Sequence, residues 1–159
     1  MKELLIDMEL LLELISEDTR GEGDSYLNLI SGELSYIPRS VINALEDNTK
    51  ISELEDWEKS LIDEASNILK LSSQDYLFVP IVEENFTLSV MKEYTLSIIN
   101  TSLKEKLLNS LKSQNYSYDF NSILLKEGAI DDFYDFKDYK YHEYAQKWLF
   151  KNGIQGTDQ

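Results

Sequence analysis

No cysteine occurs among the 159 residues, which excludes disulfides, thiolate nucleophiles, iron–sulfur clusters and cysteine-bound zinc. Arginine is scarce: Arg20 and Arg39 are the only two, and no glycine-rich phosphate-cradling loop accompanies them. That combination disfavours phosphoryl transfer, which needs more positive charge than this. His142 is the single histidine, so any histidine-dependent catalytic dyad would have to run through it. Long apolar runs are missing too. Even the leucine-rich residues 1–18 are interrupted by Glu3, Asp7, Glu9 and Glu13. A membrane span needs roughly 20 mostly apolar residues, and a signal peptide needs a basic start with an unbroken apolar run. Neither pattern is there, and a cytoplasmic protein is expected.

What is abundant is acid. Thirty Asp and Glu face 15 Lys and Arg, a formal charge of −15. Such a field repels nucleic-acid backbones and anionic membrane surfaces, and it favours a basic partner or serves solubility. The length suits one domain able to bury its own core, and the apolar patterning rules out general disorder.

In chain order, Leu4, Leu5, Met8, Leu11, Leu12 and Ile15 follow helical spacing, and Ile6, Leu10 and Leu14 widen the stripe. A stripe that broad is either core or the seam of a homodimer through this N-terminal helix. Gly21 and Gly23 end the helix. Tyr26–Ile30 and Leu34–Ile37, separated by Ser31-Gly32-Glu33, read as a β-hairpin over 26–37 that stops at Pro38. Residues 39–47 predict a short helix with Val41, Ile42 and Leu45 on one side. Ser52 and Glu55 have capping-box spacing, opening a helix to about Lys70 with Leu54, Trp57, Leu61, Ile62, Ala65, Ile68 and Leu69 facing inward. A linker at Ser72–Asp75 precedes a strand over 76–82, with Pro80 at its far end. Helices follow at about Thr87–Ile99, from a second capping box at Ser102 and Glu105 to about Ser113, and at Tyr118–Lys126, ending at Gly128. Residues 129–138 read as an irregular or short helical acidic turn, and the last helix spans about Lys140–Asn152, capped by Gly153. The fold class is therefore α+β: a mostly helical single domain over 1–154 with a small antiparallel sheet, and a frayed tail over 155–159.

Several of these segments, in this order, resemble a bacterial family of uncharacterised proteins. Tyr26-Leu27-Asn28 with Gly32-Glu33 is similar to the family's Tyr-Leu-Asp, Gly-Glu hairpin. Tyr76-Leu77-Phe78-Val79-Pro80 resembles its strand ending in Ile-Pro, followed by a helix with counterparts of Met91 and Tyr94. Glu127-Gly128-Ala129 resembles its Gly-Ala-Phe segment, and Trp148-Leu149 with Asn152-Gly153-Ile154 its closing helix. Where the family tends to carry phenylalanine and arginines after the Gly-Ala pair, this chain has Ile130-Asp131-Asp132. The resemblance implies no activity, because the family has no assigned role.

Eleven of the 18 aromatic residues lie between Tyr116 and Phe150, interleaved with acids. Tyr and Trp join a large apolar area to a polar handle and are enriched at interfaces. The segment containing Asp131, Asp132, Phe133, Tyr134, Asp135, Asp138, Tyr139 and Tyr141 is accordingly the candidate partner-binding surface, the alternative being that its aromatics are core and its acids merely face water. Antitoxins and immunity proteins that block basic nuclease toxins share this charge logic. A second function class is a small enzyme or ligand-binding domain. It would use His142 with nearby carboxylates such as Glu83 and Glu84, and Ser113, Ser117 or Ser122 as nucleophile. The Asp131–Asp138 acids lack the alternating pattern and mid-loop glycine of a calcium loop, so no metal or other cofactor is expected. A structural homo-oligomer is the third class. The expectation is a non-enzymatic protein that binds a basic protein partner.

Overall fold

The computed structural model describes residues 1–70 and 74–158. The fold class is the expected one: α+β, mostly helical, a single domain with a small three-stranded antiparallel sheet and a separate parallel strand pair. Two compact units make it up, one of Met1–Ile81 with Ala145–Gln159, the other Val82–Tyr144.

The first unit corrects both ends of the expected chain. Residues 2–6 are a strand, β1 (Lys2–Ile6), and helix α1 begins only at Met8 and runs to Ile15. Leu4 and Ile6 are buried while Glu3 and Leu5 are exposed, the two-residue period of a strand. Asp7 ends that pattern by accepting a hydrogen bond from the Leu10 N–H at 3.0 Å, as a helix N-cap does. Of the stripe read as core or dimer seam, Leu4, Ile6, Met8, Leu11, Leu14 and Ile15 are buried inside this chain, and only Leu5 is fully exposed. The tail expected to fray is also ordered. Ile154–Asp158 forms a strand (β5 below) that pairs in parallel with β1, from Lys2 beside Ile154 to Ile6 beside Asp158.

The hairpin is where it was expected, with somewhat different limits: β2 (Gly23–Asn28) and β3 (Leu34–Pro38) pair antiparallel, Leu27 opposite Leu34. Its turn is tied by the Asn28 Oδ1, which accepts from the N–H groups of Ile30 and Ser31 at 2.8 and 3.1 Å. Gly32 has φ +80°, and a Cβ there would lie 2.2 Å from the Leu5 carbonyl oxygen. Only glycine can both adopt that backbone and let β1 come so near. Pro38 closes β3 and leads into α2 (Arg39–Glu46), whose Val41 and Ile42 are buried as predicted.

The single helix expected up to Lys70 is instead a 3-10 stretch over Asn48–Glu53 followed by α3 (Asp56–Lys59) and α4 (Ile62–Leu69). The capping box belongs to Glu55 and Glu58, not to Ser52 and Glu55. This shift turns Trp57 outward: it is 57 % exposed, its Nε1 donating to Glu55 at 2.7 Å, where burial was expected. Ala65 and Ile68 do reach the core, which they share with Ile37, Val41 and Ile42. Of the expected linker, Ser72 and Ser73 lie outside the described residues, and Gln74 and Asp75 form a turn. The later strand is β4 (Tyr76–Val79), which ends at Pro80 and pairs antiparallel with β2, giving the order β3-β2-β4. Tyr26 and Phe78 face each other across that pair, edge to face at 5.7 Å.

The second unit is helical. α5 (Glu84–Ser97) and α6 (Thr101–Ser110) begin earlier than read from the sequence, and α6 is capped by Asn100, which accepts from the Leu103 N–H at 3.1 Å. α7 (Tyr116–Lys126) ends in a Schellman arrangement: Gly128 at φ +69°, with the Ala129 N–H donating to the Leu124 carbonyl at 2.8 Å. The largest correction follows. The acidic residues after Ala129 are neither an irregular turn nor a short helix of their own, because one helix, α8, runs from Ile130 to Lys151. Its residues from Ala145 onward belong to the first unit, where Gly153 ends it at φ +72° and β5 (Ile154–Asp158) follows. Within the second unit Phe133 is the hub, 5.1 Å from both Tyr94 of α5 and Phe120 of α7, each edge to face.

Candidate functional site

Continuous helical geometry sorts the residues of the acidic aromatic segment onto two sides of α8. Steps of three and four residues return to the same face. Asp131, Asp135 and Asp138 thus share one exposed face, with Tyr134 and Tyr139 beside them at 47 and 65 % exposure. Phe133 turns to the other side and is buried, and Tyr141, two turns beyond Tyr134, is buried where Phe86 packs 5.4 Å from its ring; both are corrections to their assignment to the partner-binding surface. Asp132 is exposed yet occupied, its Oδ2 accepting from the Tyr94 hydroxyl at 2.8 Å.

Lys137 and Lys140 of this helix are engaged away from the acidic face. Lys140 Nζ pairs with Glu93 Oε1 at 2.7 Å, which raises its pKa chiefly through that hydrogen bond. Lys137 Nζ sits 5.2 Å above the Tyr141 ring. The carboxylates of Asp131, Asp135 and Asp138 therefore face solvent as a line of negative charge broken only by tyrosine rings. Burial, reinforced by the neighbouring Asp132 carboxylate, pushes the Tyr94 hydroxyl up to about 12, so it stays a proton donor to Asp132. Tyr144 is raised too, by burial first and by Glu83 second.

The enzyme reading finds less. His142 is half-buried on α8 and lines neither of two open cavities, one beside α7 and the residues before it, the other between α6 and α7. Its proposed nucleophiles do line them, Ser117 and Ser122 the first, Ser113 and Ser122 the second. Glu84 accepts from the Tyr116 hydroxyl at 2.7 Å. Among the described residues no three His, Asp or Glu side chains are grouped to hold a metal ion, and no helix is long and apolar enough to cross a membrane.

Sequence reasoning missed the amide and tyrosine side chains around the first cavity, Asn115, Tyr116, Tyr118 and Asn121. The signal was present in the neutral polar run Ser113-Gln114-Asn115-Tyr116-Ser117, but a run of that kind more often marks a loop. Compared with protein-family models, curated proteins and solved structures, the chain matches none.

Proposed function

We propose that this protein is a cytoplasmic, non-enzymatic binder of a basic protein, acting in the manner of an antitoxin or immunity protein through the outward face of α8. The observation that carries this reading is the alignment of Asp131, Asp135 and Asp138 on one exposed helix face beside Tyr134 and Tyr139, while Lys140 is engaged by Glu93 elsewhere. Aligned carboxylates steer a cationic partner, and exposed tyrosines supply contact area at small entropy cost.

The test is affinity capture from bacterial lysate with the immobilised chain, beside a variant carrying Asp131→Asn, Asp135→Asn and Asp138→Asn. A specific basic protein should be retained by the wild type, released as salt rises, and lost by the variant. Retention of only acidic proteins, or of the same protein by both chains, would reject this surface.

A further inference from the structure

The turn between α5 and α6 carries apolar side chains that the fold leaves in water. Ile99 is 97 % exposed and Leu96 is 62 % exposed, with Ile98 half-buried between them. Both ends of the turn are fixed, the Ile98 N–H donating to the Thr95 carbonyl at 3.2 Å and Asn100 capping α6. A lone exposed aliphatic residue is ordinary. The surroundings of this pair give it a meaning.

Leu96 and Ile99 border the acidic face of α8. Leu96 lies three positions after Glu93, so the two share a side of α5. Glu93 is the residue that reaches across to α8, where it pairs with Lys140 at 2.7 Å. Phe86 meets Tyr141 and Tyr144 near one end of the helix pair, and Tyr94 meets Phe133 near the other, so α5 and α8 run antiparallel. The end of α5 and the turn after it are thereby set beside the first turn of α8, where Tyr94 already holds Asp132. All of this surface lies within the second unit. Lys92, one turn before Leu96, is exposed as well, but the exposed Asp131, Asp132, Asp135 and Asp138 outnumber it.

We propose that this composite surface receives a cationic amphipathic helix of the partner protein. Its apolar side covers Leu96 and Ile99, and its lysines or arginines meet Asp131, Asp135 and Asp138. The inference rests on the reading of the α8 face as a partner surface and specifies the element by which that partner docks. Charge complementarity selects the occupant. The three aspartates stand at i, i+4 and i+7, the spacing at which a helix laid alongside presents its own row of side chains. A second copy of this chain would bring a charge of −15 to an already negative face. An anionic membrane is repelled for the same reason. A wholly apolar helix would strip water from the carboxylates and return nothing to them. A wholly cationic one would leave Leu96 and Ile99 in water.

The probe is a synthetic peptide of about 18 residues, leucine on one side and lysine on the other, long enough to be helical when bound. One companion peptide has serine for every leucine, and another has glutamate for every lysine. Calorimetry on the full chain measures each, and NMR shift mapping locates the contact. The leucine–lysine peptide should bind saturably with Kd in about the micromolar range, more weakly as salt rises, and shift Leu96, Ile99 and Asp135. Each companion should bind at least about tenfold more weakly. Ile99→Ser should weaken binding at least about tenfold with the unfolding midpoint unchanged, since that side chain stands in water. The variant with Asp131→Asn, Asp135→Asn and Asp138→Asn should weaken binding and flatten its salt dependence. Loss with the aspartate variant but full binding by Ile99→Ser overturns this inference and leaves the α8 face standing. Loss with Ile99→Ser but not with the aspartate variant overturns both. No saturable binding of the leucine–lysine peptide, equal binding of the serine companion, or shifts mapped elsewhere overturns the helix proposal alone, because capture of a folded basic protein still tests the α8 face. Should Ile99→Ser lower the midpoint, Leu96→Ser decides in its place, and undiminished binding by it overturns the proposal.

Discussion

The Tyr94 hydroxyl donates to the Asp132 carboxylate at 2.8 Å, tying the last turn of α5 to the first turn of α8. The bond holds only while Tyr94 is protonated, and its pKa stands at about 12 in the fold against 10.0 ordinarily. A raised pKa means that the folded state binds the proton more tightly than the unfolded state. The stabilisation is thus complete below pH 10 and is lost as pH climbs toward 12. Tyr94→Phe should cost about 1 kcal/mol at neutral pH and flatten this alkaline decline. Urea unfolding at a series of alkaline pH values checks both, and an unchanged slope in the variant would remove Tyr94 as its source.

Gly32 and Gly128 both have positive φ, at +80° and +69°, but their surroundings differ. A Cβ at Gly128 meets nothing within 4 Å, whereas one at Gly32 collides with the Leu5 carbonyl oxygen. Gly128→Ala should therefore cost only the backbone strain, about 1–2 kcal/mol. Gly32→Ala should cost more, because β1 must also move. Equal losses in chemical denaturation would mean that β1 does not hold this position against the hairpin turn.

Ile154 is 3 % exposed at the start of β5. Ile154→Ala should destabilise the protein by about 2–5 kcal/mol, the usual cost of truncating a buried aliphatic side chain. Gln155→Ala, on the exposed side of the same strand, should stay within about 0.5 kcal/mol. A frayed tail would make both variants indistinguishable from wild type in thermal unfolding.

Phe133 and Tyr139 separate the two roles of α8. Phe133→Ala removes the ring packed against Tyr94 and Phe120 and should cost about 3–5 kcal/mol. Tyr139→Ala should leave stability nearly unchanged yet weaken capture of the basic partner, since truncating an interface tyrosine commonly costs more than about 1 kcal/mol of binding. Comparing denaturation with partner capture for the two variants distinguishes a core residue from a contact residue. A large loss of stability in Tyr139→Ala would place that residue in the core instead.

Much of this protein follows from local rules that the sequence alone expresses. Gly32 and the Pro38 strand stop mark the hairpin, Val41 and Ile42 mark the buried side of α2, and Gly153 marks the end of the last helix. These depend on neighbours within a few positions, which is the range that propensity and capping rules cover. Tertiary structure alone decided the rest. Leu4, Ile6 and Met8 fit strand spacing while Leu4, Met8 and Leu11 fit helix spacing, and the choice fell to β5, a partner some 150 positions away along the chain. Trp57 left the core because the helix broke at Ser60-Leu61, shifting which residues α3 and α4 turn inward. Within α8, composition treats Phe133, Tyr134, Tyr139 and Tyr141 alike. Only the packing along α8, with Tyr94 and Phe120 against Phe133 and Phe86 against Tyr141, divides them into core and surface.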